Sequence, residues 1–413
     1  MSGRERRAAV DASVGAPKPS LRLLVFTTLY PNAVQPHHGV FVENRLTNLV
    51  GESGYAAEVV APVPWFPFKH QRFGTYAAYA RVPCVEQRNG IDIRHPRFPV
   101  IPKLGMAATP WLLYRAARPT IARLIAAGKR FDLVDAHYIY PDGVAAALLA
   151  REFRLPFVVT GRGTDLNLIP RYPLARRMIQ STAARAAGVV TVCEALRDDL
   201  GAIGVPRERV TVLRNGVDLE TFVREPHGGD HLRRALGASA PILASVGHLI
   251  PRKGHDLAIR ALARLSHGSL LIAGSGPEDR RLKALAESLG VADRVHFLGA
   301  VPHADLKRVY TAADVLILAS SREGWPNVLL ESLACGTPVV ATAVNGSPEV
   351  VREPVAGRIV AERTPDALTA AVEAVLADPP DPGRVRAYAA DFSWTATSRG
   401  QMALFTTIAG ESR

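Results

Sequence analysis

Short apolar runs rich in β-branched residues alternate along this chain with Ala-, Leu- and Arg-rich segments of helical length. That is the pattern of parallel strands joined by crossover helices. In the first half the runs are LRLLVFT, AAEVVAP, FDLVDAH, PFVVTGR, GVVTVC and RVTVLRNG. A polar, glycine-containing break, REPHGGDHLRRALGASA, interrupts the series, which restarts with PILASVG, SLLIAGSG, RVHFLG, DVLILAS and TPVVATA. The restart predicts an α/β chain of two doubly wound, Rossmann-like domains: residues 21–216, a linker over 217–240, and residues 241–385. Residues 386–413 include DFSWTATSRGQMALFTTI, with Ser393 placed as an N-cap, and predict a helix that crosses back toward the first domain. Residues 1–20 are expected to be a loose tail. Ligands of such sheets bind beyond the carboxyl ends of the strands. Gly161, Gly163, Gly216, Gly247, Gly274, Gly276 and Gly299 all fall at such ends, so the expected site is a cleft between two facing domains.

Composition sharpens this picture. A length of 413 residues with 48% apolar content suits two cores. No run of about 18 uncharged apolar residues occurs, the length a membrane-spanning helix needs. The basic start MSGRERRAAV leads only to the short LLVFTTLY, without a cleavage-type small-residue pattern. With Cys84, Cys193 and Cys335 widely spaced, a reduced cytosolic compartment is expected. The formal net charge of +12 is lopsided: residues 1–200 hold 26 Lys and Arg against 15 Asp and Glu, the remainder 24 against 23. Such a field favours an anionic partner, a membrane face, a phosphorylated acceptor or nucleic acid, and equally serves as a solubility surface. Trp65, Phe66 and Phe68 beside Lys69 and Arg72 suit either a loop resting on lipid headgroups or a proline-stiffened loop packed on its own domain.

The chemistry concentrates in SREGWPNVLLESLACGTPVV, residues 321–340. Glu323 stands in a turn after a predicted strand, and Glu331 lies in the second turn of the helix that follows. The turn Gly324-Trp325-Pro326 and the helix start at Asn327 present backbone N–H groups where a diphosphate or sugar oxygen can be held. One carboxylate suits a ribose diol and the other sugar hydroxyls; the same spacing also fits a purely structural pair. In ASVGHLIPRKGHD, Gly247 permits a turn, and Arg252 and Lys253 are cations suited to a diphosphate. AGSGPED places Gly276 where room for a base or phosphate is expected. His137, at the end of FDLVDAH, is expected to face the cleft, as a sugar contact or as a histidine satisfied within its loop. Arg162, Thr164 and Asp165 stand at the next strand end, placed for acceptor or donor. D-x-D, H-E-x-x-H, Walker A and G-x-S-x-G are all missing, which removes the main support for a metal-dependent nucleotide-sugar site, a zinc hydrolase, a P-loop enzyme and a serine hydrolase.

EGWPNVLLE, VGHLIPRKG, AGSGPED and NGSPEVV, in that order, resemble the retaining family 4 glycosyltransferases of the GT-B fold, whose E-x7-E element is Glu323 to Glu331 here. The likeness extends over most of residues 21–400. TTLYPNAVQPHHGVFVENRL and AHYIYPDG look most like the branch that assembles teichuronic, capsular and exopolysaccharides. The resemblance implies that Glu331 binds the donor ribose, Glu323 the donor sugar and Lys253 the diphosphate. It implies further that His137 lies near the sugar and that Gly39 is the glycine of the donor loop. The family's Gly-Arg after the first C-terminal strand is Gly247-His248 here, so either Arg252 or a protonated His248 takes that phosphate contact. Implied too are a nucleoside-diphosphate sugar as donor, no further cofactor and no metal. The acceptor would be a saccharide or lipid-linked, met at the inner face of the cytoplasmic membrane through peripheral contact with anionic lipid. The alternatives are a nucleotide-sugar epimerase on the same fold and a basic nucleic-acid-binding protein.

Overall fold

A parallel strand buried on both faces is apolar at nearly every position, and the apolar runs become such strands. The computed structural model describes residues 21–68, 70, 74–100 and 105–411. In the first domain the strands are β1 (Arg22–Phe26), β2 (Ala56–Val60), β3 (Val63–Pro64), β4 (Val85–Arg88), β5 (Ile91–Arg94), β6 (Arg97–Phe98), β7 (Leu133–His137), β8 (Phe157–Gly161), β9 (Gly188–Thr191) and β10 (Val210–Val212). Eight of them form one sheet in the order β10-β9-β8-β7-β1-β2-β5-β4, with β3 and β6 pairing apart. All the sheet's pairings are parallel except β4 with β5. The second domain contributes β11 (Ile242–Val246), β12 (Ser269–Ala273), β13 (Val295–Gly299), β14 (Val315–Leu318), β15 (Val339–Thr342) and β16 (Gly357–Val360). These six run parallel in the order β13-β12-β11-β14-β15-β16. Every residue of β7, β8, β9, β11 and β12 is buried. This is the GT-B architecture, two Rossmann-like sheets whose strand ends face one cleft.

Three elements were not expected. The β4–β5 hairpin turns at Asn89-Gly90, both at positive φ (49° and 76°), and β16 closes the second sheet. Residues 226–235 also lie inside the expected linker, yet they form the helix Pro226–Ala235 of the second domain. It packs there because Gly229 brings its backbone onto Thr311 and Arg233 bonds the Asp314 carboxylate at 2.8 Å. The expected crossing at 386 also shifts. The helix Pro382–Ala390 stays on the second domain, with Val385 and Tyr388 in its core, and the chain crosses just before the helix Trp394–Glu411.

That last helix lies on the helix Val40–Ser53, and Phe405, Ile408 and Ala409 join Leu23, Val42 and Leu46 in one core. Beside it the chain's first crossing runs parallel: Val217 bridges Ser393, and the Val217 N–H donates to the Phe392 carbonyl at 2.9 Å. Gly216 sits where any Cβ would enter the Trp394 backbone. Arg45, fully buried, donates to the Leu213 carbonyl and to Gln401, tying the two crossings to the first domain. Trp65 and Phe68 are exposed, at 55% each, with the Phe66 and Phe68 rings edge to face at 6.0 Å. The tail at 1–20 and residues Lys69 and Arg72 lie outside the described residues.

Candidate functional site

Lys253 reaches the cleft because of a close backbone approach. After β11 the chain makes a turn at Pro251–Lys253 and enters the helix His255–Leu262 through Gly254, at φ 71°. A Cβ at Gly254 would strike the Ala319 carbonyl at the end of β14, so only glycine brings this turn against that strand end. Lys253 Nζ then stands 2.6 Å from Glu323 Oε1, and Ser320 Oγ donates to the same oxygen at 2.7 Å. Arg252 lies 3.5 Å from Glu323 Oε2 and also donates to the Arg322 carbonyl at 2.8 Å. Burial opposes charge on Glu323, but Lys253 and Arg252 beside it hold its carboxyl below the usual range. It is therefore an ionised, positioned acceptor of hydrogen bonds rather than a proton donor. The Glu323 N–H donates to Asn345 Oδ1 at 3.3 Å, which fixes the turn from the far side.

Gly324 brings the domains together. A Cβ there would collide with the Arg162 carbonyl oxygen of the first domain. Asn167 Nδ2 donates to the Glu323 carbonyl at 2.9 Å across the same seam. Trp325 is buried against Phe392, with Arg214 over its ring at 6.0 Å. With Pro326, Asn327, Arg252 and Lys253, these residues line a cavity of ≈ 440 Å3 whose opposite wall is Tyr138, Arg162, Thr164 and Asn167.

Glu331 opens on a different compartment. Its Oε2 accepts from the fully buried Tyr310 hydroxyl at 2.7 Å, and its Oε1 lies 2.9 Å from His303 Nε2. Gly247, Asp218, Phe222 and residues 36–37 and 40–41 share its cavity of ≈ 550 Å3. Phe41, Asn327 and Val328 line both spaces. The two carboxylates therefore do not share one mouth but face adjoining compartments, because Glu323 precedes the helix Asn327–Ala334 while Glu331 lies within it. Burial pushes His303 toward neutrality, yet the bonded Glu331 carboxylate and the charge of Asp218 raise its pKa overall.

Four residues singled out in the sequence, His137, Gly276, His248 and Gly39, lie off both cavity walls. His137 does not face the cleft: it is 1% exposed, held between Asp135 (Nε2 to Oδ2, 3.4 Å) and Arg162, whose Nη2 donates to Nδ1 at 2.8 Å. Positions two apart on a strand share a face, so Asp135 and His137 point inward together, and Tyr138 takes the cleft wall. Gly276 opens no room for a ligand; its missing Cβ lets the backbone pack on Leu249. His248 is exposed and absent from both cavity walls, whereas Arg252 lines one. Gly39 caps the helix Val40–Ser53 at φ 73° and lies under Leu29, so it shapes the loop that lines the Glu331 compartment without itself lining it.

Asn215 escaped the sequence reading. It follows β10 and receives Arg162 at 3.2 Å and Arg45 at 3.4 Å on Oδ1, while its Nδ2 donates to Asn327 Oδ1 at 3.3 Å. One amide thus links the buried arginines of the first domain to the helix start between the compartments. The run RNG after a strand is the only local signal for it.

Two family profiles together match most of the chain: Glycosyltransferase Family 4 over residues 45–221 and Glycosyl transferases group 1 over residues 232–392. Over 288 residues the chain is 41% identical to a D-inositol 3-phosphate glycosyltransferase of Mycolicibacterium gilvum, covering 65% of this chain and 64% of that relative's own length. It is 27% identical over 333 residues to the putative teichuronic acid biosynthesis glycosyltransferase TuaC of Bacillus subtilis, covering 79% and 82%. Anabaena Alr3699/HepE, solved in complex with UDP-glucose, superposes with a TM-score of 0.71 at 20% identity, over 94% of this chain and 99% of that one, which bears on the fold alone.

Proposed function

The chain belongs to the family 4 glycosyltransferases, and from that premise we propose that it moves a sugar from a nucleoside-diphosphate donor to a saccharide or lipid-linked hydroxyl. The observation that carries this reading is the division of the cleft. One compartment offers Glu331 for a ribose; the adjoining one offers Lys253, Arg252 and the ionised Glu323 for a sugar diphosphate. A nucleotide sugar laid along the cleft would pass Asn327 and Val328 with its phosphates at the start of the helix Asn327–Ala334, where backbone N–H groups favour negative charge.

Charge develops on the leaving diphosphate as the glycosidic bond breaks, and Lys253 and Arg252 are fixed to stabilise it. An oxygen of that phosphate would take the acceptor proton while attack proceeds on the same face, giving retention without a metal. Glu323, held ionised by Lys253, would orient sugar hydroxyls. The pairing with Lys253 and Arg252 that lowers its pKa also makes it a weak base, which disfavours the epimerase alternative with its proton transfer at the sugar carbon. Nucleotide sugars should be screened by thermal shift, and the best one incubated with and without saccharide acceptors. The expected result is free nucleoside diphosphate with a new glycoside of unchanged anomeric configuration by NMR. An epimerised donor in the acceptor-free sample would contradict the reading.

The His303–Glu331 pair adds a pH dependence. His303 faces Glu331 and Asp218 as charges, with the Tyr310 hydroxyl and the Phe222 ring edge beside it. Because its folded pKa is raised above 6.5, the stability it lends is full below that value and lost as pH rises through the folded pKa. A ribose must take Glu331 from the same imidazole, so affinity should move oppositely. An intact nucleotide sugar, which carries no titrating terminal phosphate, should bind several-fold more tightly at about pH 8 than at about pH 6. His303→Asn should flatten the profile in calorimetric titrations. A wild-type profile already flat would refute the competition.

A further inference from the structure

Four cations line the Glu323 compartment, Arg162, Arg252, Lys253 and Arg322, and Glu323 is the one carboxylate among the lining residues. Glu323 is committed to Lys253 and Arg252. No carboxylate of the described residues stands within ion-pair distance of Arg322 or Arg162. Arg322 Nε is buried without a hydrogen-bond partner, and so is Nε of Arg162, a residue only 8% exposed. Arg162 gives its remaining nitrogens to neutral groups, Asn215 and His137. Burial and then the like charges of Arg252 and Arg171 lower the Arg322 pKa. A half-buried guanidinium pressed by its own kind marks a place where an anion is missing.

The donor's diphosphate does not fill that place, since it would draw on Lys253 and Arg252. Across the cavity from Arg322 stand the hydroxyls of Tyr138 and Thr164, both on its wall. Tyr138 is held at φ 79°, ψ 99°, a conformation that costs a non-glycine residue energy and that clusters at ligand sites. A guanidinium fork opposite two hydroxyls suits a planar carboxylate or a phosphate.

We infer that this compartment carries a second oxyanion seat, formed by Arg322 and Arg162 with Tyr138 and Thr164, for a phosphate or carboxylate borne by the acceptor or by the transferred sugar. The inference rests on the donor reading above. It makes the enzyme selective for an acidic substrate pair, since a neutral acceptor and a neutral sugar together would leave the Arg322 guanidinium unmatched, whereas Arg162 keeps Asn215, His137 and the nearby charges of Asp135 and Asp165. The excess of positive charge in residues 1–200 would steer such a substrate toward the cleft.

Arg322→Gln removes no side-chain hydrogen bond among the described residues, so the variant should fold. Wild type and variant are each saturated with the nucleoside diphosphate, among UDP, GDP and ADP, that gives the largest thermal shift, and inorganic phosphate is titrated by calorimetry. Wild type should bind phosphate saturably and Arg322→Gln on the order of tenfold more weakly, with nucleotide affinity changed by no more than about twofold. A second arm compares a nucleotide uronic acid with the matching neutral nucleotide hexose. A penalty in the variant confined to the uronic acid puts the acidic group on the transferred sugar; phosphate that stays bound beside the intact neutral donor puts it on the acceptor. If no nucleoside diphosphate binds, the donor reading falls, and phosphate titrated into the free proteins still tests the seat. Equal phosphate binding by wild type and variant, or no saturable phosphate binding by wild type, would overturn it.

Discussion

Lys253→Ala should lower turnover by roughly two to three orders of magnitude, the loss typical of removing one group that stabilises charge developing in a transition state. Lys253 is the nearest cation to Glu323, at 2.6 Å, and its carbon chain packs over Gly247. Its loss has two consequences of different kinds. The leaving phosphate loses a fixed positive charge, which reaches the rate. Glu323, 6% exposed, keeps only Ser320 at 2.7 Å and Arg252 at 3.5 Å, which reaches stability. Breaking a buried pair by deleting one partner costs about 3–5 kcal/mol, and the remaining Arg252 puts this case near about 3. Burial would then dominate Glu323 and raise its pKa, so the variant should regain part of that stability as pH falls toward the carboxylate range and the buried carboxyl takes up a proton.

The two consequences separate in Lys253→Arg and Glu323→Gln. An arginine restores a charge beside Glu323 but not an ammonium at the same point, so stability should recover more than turnover does. Glu323→Gln leaves Lys253 free for phosphate while weakening the grip on sugar hydroxyls. Turnover should fall there with nucleotide affinity kept. Turnover by folded Lys253→Ala within a few-fold of wild type would remove the diphosphate role from Lys253.

The parallel strands were legible because burial on both faces leaves an uninterrupted apolar run, as in SLLIA of β12 or ILASV of β11. β4 and β5, VEQR and IDIR, lie at a sheet edge where charged positions alternate with apolar ones. Only the Asn89-Gly90 turn betrays that hairpin. GRIV of β16 is short and polar at its start. In the site, Glu323, Lys253 and Gly324 could be placed because turn chemistry after a strand is local. The partners could not be, since Asn345 for Glu323, His303 and Tyr310 for Glu331, and Asn215 for Asn327 arrive from distant segments that only the folded sheet order brings near. His137 shows the same limit: the end of a strand can be read from sequence, but that its last side chain is taken up by Asp135 and by Arg162, just past the neighbouring strand, emerges only in the fold.

Glu331→Ala should weaken binding of the donor nucleotide by roughly ten- to a hundredfold while leaving turnover at saturating donor nearly intact, a loss in the range of a charge-assisted hydrogen bond. The separation follows from geometry. Glu331 lines the compartment bounded by Asp218, Phe222 and His303, whereas Lys253 and Arg252 line its neighbour. An interaction made equally in ground and transition states alters KM, not kcat. The truncation also leaves the buried Tyr310 hydroxyl without its acceptor, so about 1–3 kcal/mol of stability should go with it. Glu331→Gln keeps a carbonyl oxygen for Tyr310 and should recover that stability while nucleotide affinity stays below wild type. His303 provides the internal check: released from its carboxylate, it should titrate lower, because burial then acts on it with only Asp218 in opposition. Its imidazole resonance followed by NMR in Glu331→Gln reads that shift without any substrate. Unaltered nucleotide affinity in folded Glu331→Ala would detach the ribose from this carboxylate, and the two compartments would then have to be read in the opposite order.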